Sequence, residues 1–455
     1  MKIMLVYPKF ETHIITPPLG LGYLAATLLK EGHEVILLDC VLKNIDIEKF
    51  RQILKNEKPD VVGVNAMTTY YSSAKKYVTE AKKQGITTVM GGPHSTALPK
   101  ETLEDSGADF ILIGEAEKSF PNLLNSLEKK KNLMSVKGIC FKKNNKIIMT
   151  PEEDLIQNLD ELPLPSWNMM NPNDYPIAPH GAFLKRFPCA PIITTRGCSF
   201  NCTFCASKCT WRQKLRFRDP KKVVDEIEML NKKFGVKEFH FEDDNFTLKR
   251  EHALEVCKEI IRRKLDIVWA CPNGVRIDRL DEELLKWMKK SGCYLLAFGL
   301  ESGDQKILNT ATKNLDLSQV SKALRMVKKI GIQTWGFFIL GLPGETMESA
   351  LKTIKFARNN EFDRAQFCIF TPLPGSEIFE KWTIDKKNLN WNDFNFFNIV
   401  YTDKLSEEQL RKLHKRAFRE FYLRPKIFFN LLRDLKLKQI KWLAKRAFDY
   451  KIFKK

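Results

Sequence analysis

No apolar run in these 455 residues approaches the roughly 18 that a membrane-spanning helix requires. A secretory leader is missing as well: MKIMLVYPKF has one early lysine and an apolar stretch too short for a signal core, with no small-residue cleavage site after it. Both absences place the chain, as an expectation, in the cytoplasm. A disulfide framework is excluded next, because eleven cysteines are an odd number that fits reduced thiols and metal ligation better. Paired C-x2-C motifs at zinc-ribbon spacing are also lacking. There is no acidic excess: net charge is +20, and between 411 and 455 sixteen Lys or Arg face only Glu420, Asp434 and Asp449, so most of the basic surplus is local. With 44% hydrophobic and 29% charged residues, the composition is that of an ordinary globular protein, long enough for two or three domains.

What is present begins with Cys198, Cys202 and Cys205 in the run TTRGCSFNCTFC, a C-x3-C-x2-C spacing. Iron–sulfur clusters are held by thiolates, and a closed cubane normally takes four. Three on one short loop leave one iron open to a substrate or cosubstrate. Cys209 is the nearest further thiol, so a four-cysteine zinc or cluster loop stays open as an alternative. A free cysteine can also act as a small buried hydrophobe, but Cys198 follows Arg196-Gly197, which suits an exposed turn. Exposed cluster thiolates are oxygen-sensitive, and an anaerobic setting is expected.

Residues 1–135 alternate short apolar runs with helical patterns, the mark of parallel strands joined by crossover helices. Strands are expected at Ile3–Tyr7, Val35–Leu38, Val61–Val64, Thr88–Gly91 and Phe110–Ile113, making a flavodoxin-like (Rossmann-like) α/β sheet. Ligands of such sheets sit beyond the carboxyl ends of the strands. The loops there carry Gly20 and Gly22, Thr68, Gly91 and Gly92 before His94, and Gly114 with Glu115; they would let a large planar ligand lie close to backbone. Residues 136–189 are expected to hold a hairpin, Gly138–Thr150, turning at Asn144-Asn145, and a linker rich in proline, asparagine and tryptophan.

Residues 190–400 alternate strands and helices again, with strands expected at Ile192–Thr195, Glu238–Phe241, Ile267–Ala270, Tyr294–Gly299, Thr334–Leu340 and Ala365–Phe370. Six strands predict a partial (β/α)6 barrel whose reactive groups gather at strand carboxyl ends. The cysteine loop follows the first strand, PheGluAspAspAsnPhe (241–246) the second, CysProAsnGlyValArg (271–276) the third, PheGlyLeuGluSerGly (298–303) the fourth and GlyPhePheIleLeuGlyLeuProGlyGlu (336–345) the fifth. Carboxylates at a strand end can accept hydrogen bonds from an ammonium or hydroxyl group, or simply cap the following helix. Arg276 offers a fork matched to a carboxylate, or an ordinary ion pair. Trp269 and Trp335 are expected in the core.

The cysteine spacing with Phe204 before the last cysteine, together with the GGPHxT, IGExE and NGxR runs, resembles the radical S-adenosylmethionine (SAM) enzymes that carry an N-terminal cobalamin-binding domain. The resemblance covers nearly the whole chain. It implies a [4Fe-4S] cluster on Cys198, Cys202 and Cys205 whose open iron is chelated by SAM, and reductive cleavage of SAM to a 5′-deoxyadenosyl radical. It also implies SAM contacts from Phe204, from Glu242 and Asp243 to the amino group, from Arg276 to the carboxylate, from Glu301 to the ribose, and from Gly341 and Gly344 to the adenine. Cobalamin is implied at Gly20, Gly22, Thr68, Gly91, Gly92, Gly114 and Glu115. The D-x-H-x-x-G motif, whose histidine ligates cobalt in some cobalamin proteins, is absent, and His94 reads better as a structural turn histidine. A Rossmann-like domain without cofactor remains the alternative.

Residues 401–455 open with a helix over Leu405–Tyr422, entered through a capping box of Ser406 and Gln409, in an LSEEQLRKL...FYLRP run that again resembles this subfamily. Beyond it Phe428, Leu431, Leu432, Leu435, Trp442 and Leu443 recur at helical spacing among basic residues. Such a helix can lie on an anionic membrane, making the chain peripheral to it, or pack on the barrel. Nucleic acid would accept the charge, but no RNA-binding module accompanies it. The resemblance implies modification of an unactivated carbon, most commonly methylation, of a small-molecule, lipid-like or tetrapyrrole-like substrate, with a flavodoxin- or ferredoxin-type electron donor. The rivals are an oxidative cyclase, a methylthiotransferase-like RNA-modifying enzyme, for which Cys40 and Cys140 are too far apart to advertise an auxiliary cluster, and a non-catalytic cobalamin- or cluster-binding sensor.

Overall fold

A computed structural model describes residues 1–12, 14–177, 184–384, 389–434 and 440. The chain divides into two compact units. The first comprises Met1–Asp174, Cys205–Arg212 and Leu373–Phe394; the second comprises the described residues of Tyr175–Phe204, Gln213–Pro372 and Asn395–Lys455.

The first unit is built on a seven-stranded sheet: β1 (Lys2–Tyr7), β2 (Glu34–Asp39), β3 (Val61–Asn65), β4 (Thr87–Gly91), β5 (Phe110–Leu112), β6 (Ile139–Lys143) and β7 (Lys146–Met149), in the order β2-β1-β3-β4-β5-β6-β7. The first five are parallel, and their Val/Ile/Leu/Met runs are buried on both faces because crossover helices cover both sides. Asp46 caps one such helix, Ile47–Glu57, by accepting from Lys49 N–H. Phe50, Leu54, Tyr71, Ala74, Tyr77 and Val78 close its core over Met4, Val6, Val62 and Val64.

The hairpin turns at Asn144-Asn145, both left-handed (φ 49° and 60°), as the sequence predicts. The hairpin finishes the first sheet: β6 pairs antiparallel with β5, Phe110 opposite Phe141 and Ile111 opposite Cys140. Burial of Ile139, Cys140 and Phe141 holds it there. Trp167 and Met170 are likewise buried, and Ser166 N–H donates to Gly22 O at 3.0 Å.

The second unit carries β8 (Cys189–Ile192), a two-residue pair β9 (Thr195–Arg196) and β10 (Arg216–Phe217), then β11 (Glu238–Phe241), β12 (Val268–Val275), β13 (Cys293–Glu301), β14 (Gln333–Leu340) and β15 (Arg364–Ile369). Six of these form an all-parallel sheet in the order β15-β14-β13-β12-β11-β8, the partial barrel that the sequence predicts. Alternation along β14 shows its two faces: Thr334, Gly336, Phe338 and Leu340 are buried, whereas Gln333, Trp335, Phe337 and Ile339 are half-buried on the other side. Trp269 is fully buried, stacked on Phe241 at 4.7 Å.

The first barrel strand lies three residues earlier than expected. Thr194 and Thr195 leave the ladder because the Asp243 carboxylate takes their N–H groups. The helix Glu407–Tyr422 begins at a capping box of Ser406 and Gln409. It lies on β15, with His414 Nε2 3.0 Å from Phe367 O and Tyr422 OH donating to Ala365 O at 2.6 Å. No helix among the described residues is long and apolar enough to cross a membrane. Leu435, Trp442 and Leu443 of the basic tail lie outside the described residues, as do the side chains of Leu431 and Leu432.

Candidate active site and cofactor loops

In the second unit, the segment that delivers the chain to Cys198 is fixed from several directions. Asp243 Oδ1 accepts from Thr194 N–H and Thr195 N–H, both at 2.7 Å, and Oδ2 accepts from Thr194 Oγ1 at 2.7 Å. Burial drives the Asp243 pKa up to about 6, against these hydrogen bonds. His252 Nε2 lies 3.0 Å from Thr194 Oγ1, and burial lowers its pKa to about 4, so the ring is neutral. Arg218, itself in a buried pair with Glu226 at 2.6 Å, donates to Ile193 O at 2.9 Å. Gly197 (φ +94°) then turns the chain into the cysteine loop.

Cys202 is buried and Cys198 half-buried, and none of the eleven cysteines is in a disulfide. Thr203 N–H donates to Ala311 O at 3.1 Å, tying the loop to the turn after the helix Gln305–Thr310. The Phe200 ring lies under the Arg276 guanidinium, 3.9 Å from centroid to carbon. Lys313 occupies the space between motifs: its Nζ is 2.8 Å from Glu301 Oε1 and 5.8 Å from the Phe204 ring centroid. Burial opposes the Lys313 charge, but Glu301 and then the Cys202 sulfur outweigh it and hold the ammonium above its usual pKa of 10.5. Glu301 sits in the left-handed region (φ +66°) where the β13–β14 register shifts, a strained position for a residue with a side chain.

The other predicted SAM residues divide. Glu242 Oε2 accepts from Asn273 Nδ2 at 2.6 Å at the β11 and β12 ends, and a Cβ at Gly274 beside it (φ +108°) would stand in ordinary contact with Gly299 N at 3.6 Å and the Phe337 ring at 4.0 Å. Gly344 (φ +80°) faces open space, and its N–H donates to Asp403 at 2.8 Å. Three of the expected residues are engaged within the chain. Asp243 spends its carboxylate on Thr194 and Thr195, because a buried acceptor beside three donors is satisfied there. Arg276 gives its fork to Asp278 (2.9 Å twice) and Nη1 to Lys313 O at 2.7 Å, so it braces the Lys313 loop instead of offering itself to a carboxylate. The side of Gly341 that lacks a side chain is filled by Leu410, 3.1 Å from where a Cβ would stand.

In the first unit the glycine loops also separate into packing and open positions. Gly92 (φ +110°) passes so close to Ala66 O that a Cβ would lie 2.6 Å from it. Gly91 would carry a Cβ in ordinary contact with Leu112, and Gly22 would meet Met170 Cε at 2.1 Å. Thr68 Oγ1 is 3.1 Å from His94 Nδ1, and Glu115 Oε2 accepts from Ile156 N–H at 2.9 Å. Gly22, Thr68 and Glu115, expected at cobalamin, have these packing and anchoring contacts within the chain. Gly20 and Gly114 (φ +77°) face open space. His94 is buried, stacked on Tyr71 at 4.0 Å and edge-on to Trp391 at 4.8 Å, with burial lowering its pKa to about 3. It is a buried packing residue, placed in the short helix Pro93–Ala97 and not in the turn expected. Beyond β1 and β3, Phe10 stacks on Tyr70 at 4.3 Å, and Met67 is exposed.

Sequence reasoning missed Lys313 and His252, and quoted Asn273 within the NGxR run without giving it a role. A lysine among 75 basic residues, twelve positions after Glu301, gives no periodic signal, and His252 falls inside an ordinary helix pattern.

Comparison with known proteins agrees with this architecture. The radical SAM superfamily model matches residues 192–357 and the B12 binding domain model residues 11–124. An uncharacterised methyltransferase of Pyrococcus horikoshii is 34% identical over 96% of this chain and 95% of its own length. Cytidylyl-2-hydroxyethylphosphonate methyltransferase of Streptomyces wedmorensis is 30% identical, covering 84% of this chain and 81% of that protein. Anaerobic magnesium-protoporphyrin IX monomethyl ester cyclase of Rubrivivax gelatinosus is 30% identical, covering 93% and 78%. Among solved structures, the radical SAM methyltransferase TsrM of Kitasatospora setae, with tryptophan and a SAM analogue bound, superposes with a TM-score of 0.71 at 20% identity over 84% of this chain and 76% of that one, a likeness of fold. The chain belongs to the radical SAM superfamily, among the enzymes that join a B12 binding domain to the radical SAM barrel and use a [4Fe-4S] cluster, SAM and cobalamin.

Proposed function

We propose that this enzyme methylates an unactivated carbon of a small-molecule substrate, with the cluster on Cys198, Cys202 and Cys205. The donor set suits the cluster, being three thiols within eight residues that are free of disulfides. The observation that carries the reading is Lys313, a buried cation paired with Glu301 at 2.8 Å and 5.8 Å from the Phe204 ring beside the cysteine loop, where an anionic cosubstrate group would need one. Its partner Glu301, through the oxygen not engaged with Lys313, is the group to accept from a ribose hydroxyl. Glu242, oriented by Asn273, and the open backbone at Gly344 complete the SAM set. Gly20 and Gly114 are the glycines past which a corrin ring would lie, and His94 is withheld from cobalt by Tyr71, Trp391 and Thr68. When bound, the cluster supplies a low-potential electron, SAM a radical and cobalamin a methyl group; the protein positions them and excludes water.

Anaerobic reconstitution with reductant, SAM and cobalamin, followed by product analysis with candidate acceptors, tests the reading. S-Adenosylhomocysteine together with 5′-deoxyadenosine and a product heavier by one CH2 is expected. 5′-Deoxyadenosine without S-adenosylhomocysteine would move the reaction to the cyclase type, and neither product would leave a sensor. Cys202→Ala should abolish both the cluster absorbance and SAM cleavage.

A lipid-like or membrane-delivered substrate is the finer reading. Leu423, Phe428 and Phe429 support it, standing 70%, 50% and 67% exposed beside basic residues. Phe428→Ser with Phe429→Ser should then weaken sedimentation with anionic vesicles, and unchanged sedimentation would remove the idea.

A further inference from the structure

We propose that Cys189, Glu238 and His240 form a zinc site at the amino-terminal end of the barrel strands, separate from the cysteine loop. Glu238 and His240 are two apart on β11 and so share a face; Cys189 is the residue of β8 registered opposite Glu238. All three are buried, at 5%, 0% and 4% exposure for Cys189, Glu238 and His240. One ligand atom from each, sulfur, carboxylate oxygen and imidazole nitrogen, lies within 4.8 Å of the other two. A tetrahedral zinc, with Zn–S near 2.3 Å and Zn–N or Zn–O near 2.0 Å, sets its ligand atoms about 3.3–3.5 Å apart, a geometry that small side-chain shifts would bring these three to. The mixed soft and borderline donors favour zinc over magnesium or calcium, which take oxygen ligands.

The charges balance. Burial, reinforced by Glu238 and then Glu242, keeps the Cys189 thiol protonated in the absence of an ion. Zinc would displace that proton to solvent, and one thiolate plus one carboxylate would neutralise the dication in a site where an uncompensated charge is costly. His240 would ligate through Nε2, now 2.9 Å from Glu238 Oε1, in the tautomer that carries its proton on Nδ1. A water would complete the tetrahedron. Tyr294 OH and Arg186 N–H, which donate to the two Glu238 oxygens at 2.5 and 2.6 Å, orient the carboxylate from outside, as partners of metal-binding groups commonly do.

The site has a purpose in the fold. Among the described residues β8 is an edge strand of four residues that pairs only with β11, and it leads to the cysteine loop. An ion shared by the two strands would fix the strand from which the cluster ligands depart.

The test uses the full-length enzyme, purified anaerobically with cluster and cobalamin. Elemental analysis should find about one zinc per chain, and zinc-edge X-ray absorption should find a single sulfur ligand at about 2.3 Å with nitrogen and oxygen neighbours. Absence of zinc, or zinc with three or four sulfurs, would overturn the proposal, the latter because it identifies zinc in the cysteine loop. Cys189→Ser and His240→Ala should each lose the zinc while cluster absorbance persists, and Cys202→Ala should keep it. Zinc retained at full occupancy in both Cys189→Ser and His240→Ala would also overturn it. The wild-type absorption spectrum decides the question even if a variant fails to fold.

Discussion

Asp243 and Thr194 are joined twice, by Thr194 N–H to Oδ1 and Thr194 Oγ1 to Oδ2, each at 2.7 Å. The second-strand acidic run thus holds the end of the first strand, ahead of the cysteine loop. Asp243→Ala would leave two buried backbone N–H groups without acceptor, at a cost of about 1–3 kcal/mol each. Lower thermal stability is expected together with reduced iron per chain after reconstitution. Asp243→Asn, which keeps one acceptor, should fall between. Full iron loading in Asp243→Ala would show that the loop does not depend on the clamp.

Lys313 and Glu301 should behave as a unit. Lys313→Met strands a buried carboxylate, and breaking a buried pair from one side costs roughly 3–5 kcal/mol. The double variant Lys313→Met with Glu301→Gln removes both charges, so much of that stability should return. SAM affinity, measured by calorimetry on the reconstituted enzyme, should not return. Recovery of both would make the pair purely structural.

Strand placement was legible because apolar alternation and crossover spacing are local signals: every predicted strand except the first barrel strand overlaps its observed element by at least three residues. The cysteine loop was legible because ligand spacing is itself the signal. The direction of individual side chains was not. Asp243 and Glu242 are neighbours that face opposite sides, and only the position of Thr194 determines which one is consumed. Arg276 was matched to a carboxylate by chemistry, yet Asp278, two residues on, reaches its fork first. Gly341 and Gly22 satisfy a glycine-rich pattern, but their open sides are filled by Leu410 and Met170, contacts made across long stretches of sequence.

Gly92 and Gly114 give a paired test of packing against ligand approach. Both have positive φ, so an alanine at either is strained by about 1 kcal/mol or more. At Gly92 the new Cβ also meets Ala66 O at 2.6 Å, a backbone atom that cannot swing aside. Gly92→Ala should therefore lower the melting temperature markedly. Gly114→Ala, with nothing within 4 Å, should cost only that backbone strain of about 1 kcal/mol and should in addition weaken cobalamin retention on gel filtration. Equal stability loss with equal cobalamin loss would dissolve the distinction.

Glu345 sets a pH dependence. Its Oε2 accepts from Gly341 N–H at 2.5 Å, while Oε1 is buried without a hydrogen-bond partner among the described residues. Burial raises its pKa from 4.5 to about 8, against the Gly341 hydrogen bond and helped by Asp304. Between these two values the folded protein keeps a proton that the unfolded chain has released. The folded state therefore binds more protons, and stability must fall as pH rises through that window. The loss is on the order of a few kcal/mol once pH exceeds 8. Glu345→Gln holds an amide in the same space and has no proton to lose. The wild type should melt several degrees lower at pH 9 than at pH 6, relative to the variant, in scans at constant ionic strength. Parallel curves for the two proteins would mean that Glu345 is ionised in the fold and that a partner or water reaches Oε1.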